Sequence, residues 1–241
     1  MSSEVAVAVR RLGLAYRRTR YPSGRLRRER HWALWEVSLR AHRGEVVGVV
    51  GHNGAGKSTL LRVISGALPP TRGSVHARGR VAALADLGAG FESEYQAPEN
   101  VVLYGTMLGI DPGYLRRRAP AIIEWAGLTE VADVPLREYS SGMLARLAFA
   151  VAADEDPDVL LIDDALAVGD EAFQERSWAR AKELVEGGAA VILVSHASET
   201  VGSLAQRVVW MQEGAVVASG HPASVLAAYR DRESHMMRGL R

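Results

Sequence analysis

The chain has 241 residues, of which 48% are hydrophobic and 24% are charged, and its net charge is +1. This composition is typical of a folded globular protein with a substantial core, and it excludes a disordered chain. The balanced charge gives no overall case for nucleic-acid binding, and the lack of cysteine excludes a disulfide framework and a thiolate metal site.

The chain begins with two predicted strands that flank a basic insertion. The apolar run at residues 5–9 predicts the first strand, and the run at 37–39 predicts the second. Residues 17–31 hold seven arginines around Pro22 and Gly24, so we expect an exposed hairpin or a short helical insertion there. Its charge either lies on a solvated surface loop or faces lipid headgroups or an anionic substrate.

A glycine-rich segment follows the next predicted strand and leads into a helix. The strand is the apolar run at 45–50, and residues 60–65 are apolar at helical spacing. The segment between them fits the pattern G-x-x-x-x-G-K-[ST]. We call it the glycine loop, and it consists of Gly51, His52, Asn53, Gly54, Ala55, Gly56, Lys57, Ser58 and Thr59. Its backbone N–H groups and the helix N-terminus predict a site for phosphate groups.

Lys57 stands out against the composition of the chain. Of the 29 basic residues, 27 are arginine, and the two lysines are Lys57 and Lys182. A flexible ammonium fits beneath a glycine loop, whereas a planar guanidinium does not. We therefore expect Lys57 to hold a phosphate group.

The middle of the chain is predicted to be helical. Residues 99–108 and 114–126 favour two helices, and a helical subdomain is expected over roughly 95–155. A further helix is predicted to begin at Ser140, Ser141 and Gly142. Ser140 is a good N-cap residue, and an ordinary cap is by itself a sufficient explanation for it.

Polar side chains follow two buried strands of the second half. The apolar run at 159–163 ends in Asp163 and Asp164, and the run at 190–194 is followed by Ser195 and His196. Ligands bind at the carboxyl ends of strands in open α/β sheets, so these side chains are candidates for a site. A hairpin at 208–218, a helix near 222–229 and a polar tail complete the prediction.

Together, in this order and spacing, these motifs resemble the ATP-binding subunit of an ABC transporter over nearly the whole chain. The glycine loop matches Walker A, residues 159–163 match Walker B, and residues 139–143 resemble the family signature. The resemblance implies an α/β P-loop NTPase fold with a RecA-like core sheet, an antiparallel β subdomain and a helical subdomain. It further implies a single nucleotide-binding domain over residues 1–241.

Three details resemble the subfamily that exports O-antigen, capsular polysaccharide, teichoic acid and galactan. They are residues 87–91 followed by Glu99 and Asn100, the Ser-Ser-Gly-Met signature, and residues 166–170 after Walker B. Some members carry a further carbohydrate-binding domain, and the chain resembles the short form without it.

The resemblance assigns a role to each candidate residue, with ATP as the nucleotide. The glycine loop holds the β- and γ-phosphates, and Ser58 and Asp163 hold Mg²⁺. Asp164 is the general base, His196 contacts the γ-phosphate and the attacking water, and Asp170 lies in the D-loop. Tyr16 stacks on adenine. Ser140, Ser141 and Gly142 contact the nucleotide held by the other subunit.

The expected partners follow from the same resemblance. They are a second copy in a head-to-tail dimer that sandwiches two ATP, and a polytopic membrane permease, in two copies. No apolar run approaches the roughly 18 residues that span a bilayer, so a separate subunit is expected to cross it. The transported substrate is a lipid-linked glycan, no nucleic acid is expected, and the location is the cytoplasmic face of a bacterial cell membrane.

Two departures from the family pattern bear on catalysis. Asp164 replaces the usual Glu, and the Q-loop segment at 85–91 has no Gln, with Asp86 as the candidate substitute. Three alternatives to polysaccharide export stay open, and Asp164 bears on the last of them. They are the ATPase of another ABC transporter, a soluble ABC ATPase that acts on DNA or ribosomes, and a nucleotide-gated interaction module that barely hydrolyses ATP.

Overall fold

The computed structural model describes residues 4–20, 27–84, 90–163, 171–195 and 198–238. Within these ranges the chain forms an α/β fold. Its elements in chain order are β1 (Val5–Arg20), β2 (Arg27–His42), β3 (Val46–Val50), α1 (Lys57–Ile64), β4 (Arg72–Ala77), β5 (Val81–Leu84), α2 (Ala97–Met107), α3 (Pro112–Trp125), α4 (Ser141–Asp154), β6 (Val159–Asp163), α5 (Glu171–Glu186), β7 (Ala190–Val194), α6 (Ser198–Leu204), β8 (Arg207–Gln212), β9 (Ala215–Gly220) and α7 (Pro222–Arg238).

A six-stranded sheet forms the centre of the fold, in the order β5-β6-β7-β3-β8-β9. Its first five strands are parallel, and β9 returns antiparallel along β8. All five residues of β7 are buried. Parallel strands are covered on both faces, which explains why β6 and β7 are continuous apolar runs rather than alternating ones. The predicted α/β class and core sheet are confirmed.

Each face of this sheet packs on a different layer. Val191 and Leu193 of β7 belong to one core, which includes α2, α3 and α4. Ile192 and Val194 point to the other face and join a core with α1, β1 and β2. Because side chains alternate along a strand, one apolar run serves both cores.

A second, antiparallel sheet has the order β2-β1-β4. The ladder between β1 and β4 ends where Gly13 pairs with Arg72, so the rest of β1 and β2 forms a two-stranded ribbon. Arg17 lies opposite Arg30 in this ribbon. The hairpin expected for the basic insertion is confirmed over residues 17–20 and 27–31, and the helical alternative is wrong there.

The predicted helices are found between β5 and β6 as α2, α3 and α4. At the other end of the chain, α7 continues through Arg238, so the polar tail expected after Tyr229 is helical as far as that residue. The difference has a physical reason. Val225 and Leu226 lie four and three residues before Tyr229, and these side chains form a buried face that anchors α7 to the fold.

Candidate functional site

The glycine loop connects β3 to α1 and leaves no room for side chains at two of its glycines. A Cβ on Gly51 would lie 2.2 Å from the carbonyl oxygen of Met211, and one on Gly56 would lie 2.7 Å from that of Ala33. Gly56 has φ +97°, in the left-handed region that favours glycine. The loop therefore runs close against β8 and β2, and glycine is required for that approach.

Lys57 lies beneath the glycine loop, as predicted. Its side chain is only 6% exposed. The ammonium donates to the carbonyl oxygen of Gly51 at 2.6 Å and to that of His52 at 3.0 Å. These bonds hold the ammonium next to the first turn of α1, where the backbone N–H groups have no partner within the helix. Positive charge is therefore concentrated at one point of the loop.

A cavity of about 580 Å³ opens above Lys57. The structure brings the glycine loop and the end of β6 together at this cavity. Its lining consists of His31, Trp32, Ala33, Asn53, Gly54, Gly56, Lys57, Ser58, Thr59, Asp163, Glu213 and Gly214. Ligand sites of 300–1,000 Å³ are usual, and the walls here combine backbone, hydroxyl, cationic and carboxylate groups.

The donors at this cavity fit a hard cation. Ser58 and Asp163 contribute oxygen atoms, which Mg²⁺ prefers. Among the described residues there is no group of three or more His, Cys, Asp or Glu side chains arranged to hold a metal. The fit is therefore to an ion that takes its remaining ligands from phosphate and water, which is how Mg²⁺ binds in nucleotide sites.

Sequence reasoning missed the role of the turn at Glu213 and Gly214, which it identified only as a hairpin turn. Gly214 donates its N–H to the carbonyl oxygen of Ala55 at 3.1 Å, and its own carbonyl accepts from the N–H of Trp35 at 2.8 Å. The turn thereby fastens the glycine loop to β2. A Gly at a hairpin turn is common, so the sequence alone held no sign of this contact.

Among the described residues, Trp32 lines the cavity, whereas Tyr16, the predicted adenine contact, does not. Tyr16 pairs with His31 in the β1–β2 ladder, is 39% exposed, and is not one of the residues that line the cavity. Trp32 packs edge-on against Trp35 with 4.8 Å between ring centroids, and the guanidinium of Arg72 lies 5.3 Å from its ring. The register slips at bulges between Val9 and Ala15, which no sequence pattern announces.

The signature residues form the exposed start of α4. The Ser140 hydroxyl accepts from the N–H of Met143 at 3.2 Å, so the predicted N-cap is confirmed. Ser140 and Ser141 are exposed, and neither they nor Gly142 line the cavity above Lys57. Immediately before them, the Tyr139 hydroxyl donates to the carbonyl oxygen of Val131 at 2.7 Å, and burial raises its pKa. Tyr139 therefore anchors the start of α4 to the fold, while Ser140 and Ser141 remain exposed to solvent.

Asn100, one of the residues that resemble the polysaccharide exporters, has a structural role. It is fully buried on α2. Its amide oxygen accepts from the N–H of Glu92 at 2.7 Å, and its amide nitrogen lies 3.0–3.1 Å from the carbonyl oxygens of Glu92, Tyr95 and Gln96. A single side chain therefore fixes the loop before α2.

Several predicted residues lie outside the described residues: Asp86, Asp164, Asp170 and His196. The described backbone stops next to two of them. Asp163 at the end of β6 pairs with Val194 at the end of β7, so the carboxyl ends of these strands are neighbours.

Comparison with known proteins gives consistent results. The family model described as ABC transporter matches residues 34–167. The ABC transporter protein AbcA of Aeromonas salmonicida is 45% identical over 82% of this chain and 64% of its own length. The O-antigen export system ATP-binding protein RfbB of Myxococcus xanthus is 43% identical over 83% of this chain and 46% of its own. The teichoic acids export ATP-binding protein TagH of Listeria innocua is 37% identical over 82% and 59%.

The chain therefore spans about half to two-thirds of these relatives. Among solved structures, a dimeric ATP-binding cassette in a post-hydrolysis state with ADP and phosphate superposes with a TM-score of 0.75 at 23% identity. That match covers 90% of this chain and 98% of the other, and it supports the fold. None of the helices in the described ranges has the length and apolar character needed to cross a membrane.

Proposed function

Because the chain belongs to the ABC transporter family, we propose that it is an ATP-hydrolysing subunit that drives a membrane exporter. The observation that carries this proposal is the meeting of Lys57, Ser58 and Asp163 at one cavity. A phosphate chain needs a cation, backbone donors and oxygen ligands for its metal in one place. Each of these requirements is met by described residues.

The residues at the cavity have two roles, which are to hold the phosphates and to hold the metal ion. The N–H groups of the glycine loop and the Lys57 ammonium hold the β- and γ-phosphates, while Ser58 and Asp163 orient the ion. Mg²⁺ held by Ser58 and Asp163 would supply positive charge against the phosphate oxygens. Trp32 and Tyr16 are competing candidates for the adenine contact. Trp32 is favoured because it lines the cavity.

Catalysis is assigned to Asp164 and His196. Asp164 takes the proton of the attacking water, and His196 holds that water against the γ-phosphate. Aspartate is one methylene shorter than glutamate, and a displacement of about 1 Å can lower a rate on the order of 100-fold. We therefore expect slow hydrolysis that depends on Asp164. Full ATPase activity in Asp164→Asn would contradict this assignment. A wild-type chain that binds ATP but barely hydrolyses it, with or without the membrane partner, would instead favour a nucleotide-gated module.

A second copy completes the site. Ser140, Ser141 and Gly142 sit at an exposed helix N-terminus, which attracts anionic groups, yet they do not line the cavity of their own chain. In a head-to-tail dimer, the signature of one subunit closes over the nucleotide on the other. Two ATP molecules are enclosed in this way, and hydrolysis lets the subunits part. That change is the signal a membrane subunit receives.

The membrane partner is a polytopic permease, present in two copies, at the cytoplasmic face of a bacterial membrane. Support comes from two large apolar side chains exposed on α2, Leu103 and Met107, and from Tyr95, which is exposed just before this helix. Leu103 and Met107 are four residues apart and share one side of the helix. Exposed apolar groups that lie close together are typical of a docking surface.

The transported substrate is a lipid-linked polysaccharide, on the strength of the relatives named for O-antigen and teichoic acid export. The basic ribbon of β1 and β2 adds an expectation. Arg17 and Arg30 are exposed and directly opposite, and like charges across a ladder repel. An anionic surface, either lipid headgroups or the substrate itself, would relieve that repulsion.

The test co-expresses the chain with a polytopic membrane protein, chosen from those that neighbouring genes encode. Co-purification and ATP-dependent transport of a lipid-linked glycan are expected, and Met107→Glu should abolish co-purification. Val217→Glu is the matched control, because Val217 is an exposed apolar residue on β9. If the chain binds no membrane protein and hydrolyses ATP fully by itself, the exporter assignment is wrong and a soluble ATPase takes its place.

A further inference from the structure

His52 connects the phosphate-binding lysine to the last helix of the chain. Its carbonyl oxygen accepts from the Lys57 ammonium at 3.0 Å and from the N–H of Ala55 at 3.1 Å. Its imidazole does not line the cavity and lies instead against α7. There the ring centroid is 5.7 Å from that of Tyr229, and Nδ1 is 3.8 Å from Oε1 of Glu233.

The α7 side of this contact is itself held in place. Tyr229 is buried and packs edge-on against Trp210 of β8, with 5.7 Å between ring centroids. The guanidinium of Arg232 lies 5.9 Å from the Trp210 ring, on the same helix. Burial, followed by the hydrogen bond and the charge of Glu233, raises the pKa of Tyr229. The Tyr229 hydroxyl therefore stays protonated and donates to the Glu233 carboxylate, which fixes the carboxylate beside His52.

The peptide group of His52 sits at a sensitive point. It supports both the ammonium of Lys57 and the turn at Ala55, so a shift of the His52 backbone changes the position of the charge that meets the phosphates. Tight positioning of such groups matters, since a misplacement of about 1 Å can cost on the order of 100-fold in rate. A side chain that fixes the His52 ring also limits the movement of its carbonyl.

We propose that Glu233 and Tyr229 are positioning residues for the glycine loop, and that through His52 the helix α7 sets the affinity of the chain for nucleotide. The inference rests on the proposed function only in taking a nucleoside triphosphate as the ligand. Coupling of this kind is reciprocal. An interaction that stabilises α7 therefore increases the affinity for nucleotide, and bound nucleotide increases the protection of the α7 amides from hydrogen exchange.

The first experiment is a double-mutant cycle on the full chain, with binding of a fluorescent ATP analogue as the readout. Glu233→Gln keeps the shape of the side chain and removes its charge, and we expect a loss of affinity of about threefold to fivefold, as for an exposed charged contact. His52→Ala should give a larger loss. In the double variant, Glu233→Gln should add nothing to His52→Ala, because both act through one contact. Asp231→Asn, on the same helix, is the matched control and should leave the affinity unchanged.

The second experiment measures amide hydrogen exchange in α7 with and without the ATP analogue. Protection of the backbone around residues 226–233 should increase on binding in the wild-type chain and in Asp231→Asn, but not in His52→Ala. Losses that multiply in the double variant, or equal protection of α7 in His52→Ala, would overturn the inference. A wild-type chain that binds no ATP analogue would contradict the proposed function instead, so the two failures are distinguishable.

Discussion

We propose phosphate binding for both the glycine loop and the signature helix, but the chain holds these two segments very differently. The glycine loop is bonded to the turn at Gly214, which is in turn bonded to β2, and Lys57 of the loop is buried. The signature helix begins at Ser140 and Ser141 in the open, and its cap is supplied by its own side chain. The glycine loop is held in place by its own chain and is ready to bind nucleotide. The exposed start of the signature helix is free to contact a nucleotide on another subunit. The difference supports a site divided between two copies.

The largest effect is expected at Lys57. Lys57→Ala removes the cation beneath the glycine loop, and ATP hydrolysis should fall by about 100-fold or more, the cost of removing one preorganised electrostatic group. The other lysine of the chain provides the control. Lys182 is exposed on α5, so Lys182→Ala should keep wild-type activity in the same steady-state phosphate-release assay. A chain that hydrolyses ATP normally without Lys57 would remove the glycine loop from the mechanism.

The next effect concerns how tightly the glycine loop is packed. Gly56→Ala places a Cβ 2.7 Å from a backbone carbonyl at φ +97°, whereas Gly54→Ala meets open space at φ +79°. Both suffer backbone strain of about 1 kcal/mol, and Gly56→Ala adds a clash, for a total of about 2–4 kcal/mol in the free energy of unfolding. Urea denaturation measures both. Equal losses would mean that packing against β2 does not constrain the loop.

The glycine loop also shows which features of the site can be predicted from the sequence and which cannot. The pattern around Lys57 predicted strand, loop and helix correctly, because the residue types that the chemistry requires are contiguous in the chain. The sequence could not predict that Trp32, rather than Tyr16, reaches the cavity. That outcome depends on bulges in the β1–β2 ladder, and on a close approach of Gly56 and Gly214 to the carbonyl oxygen of Ala33. Contacts between distant segments leave no local pattern.

A smaller effect is expected at the signature helix. Ser140→Ala removes the hydroxyl that accepts from Met143, so the free energy of unfolding should fall by about 1 kcal/mol. Nucleotide binding by the isolated subunit should be unchanged, because Ser140 does not line its cavity. Thermal denaturation and titration with an ATP analogue measure the two quantities. A loss of affinity in the monomer would show that the helix serves its own chain.

The smallest effect is expected on the free energy of unfolding at alkaline pH. It involves one tyrosine beside the signature helix and one beside the glycine loop. Tyr139 lies directly before the N-cap of the signature helix, and Tyr229 contacts His52 of the glycine loop. Burial raises the pKa of both tyrosines. A group whose pKa is raised in the folded state gives stability that is present below its unfolded pKa of about 10 and is lost above it. Unfolding at pH 9 and pH 11 should show a smaller alkaline loss in Tyr229→Phe than in wild type. An unchanged loss would mean that Tyr229 titrates normally.

The most direct test of a divided site mixes two inactive variants. Lys57→Ala disables the glycine loop, and Ser141→Arg blocks the signature at an exposed position without disturbing the core. In a mixed dimer, one site combines both defects and the other combines two intact halves. Activity should therefore return on mixing, to about a quarter of wild type if the sites act independently and the subunits pair at random. If each variant is inactive alone and the mixture stays inactive while mixed dimers form, the two halves do not complete each other's site.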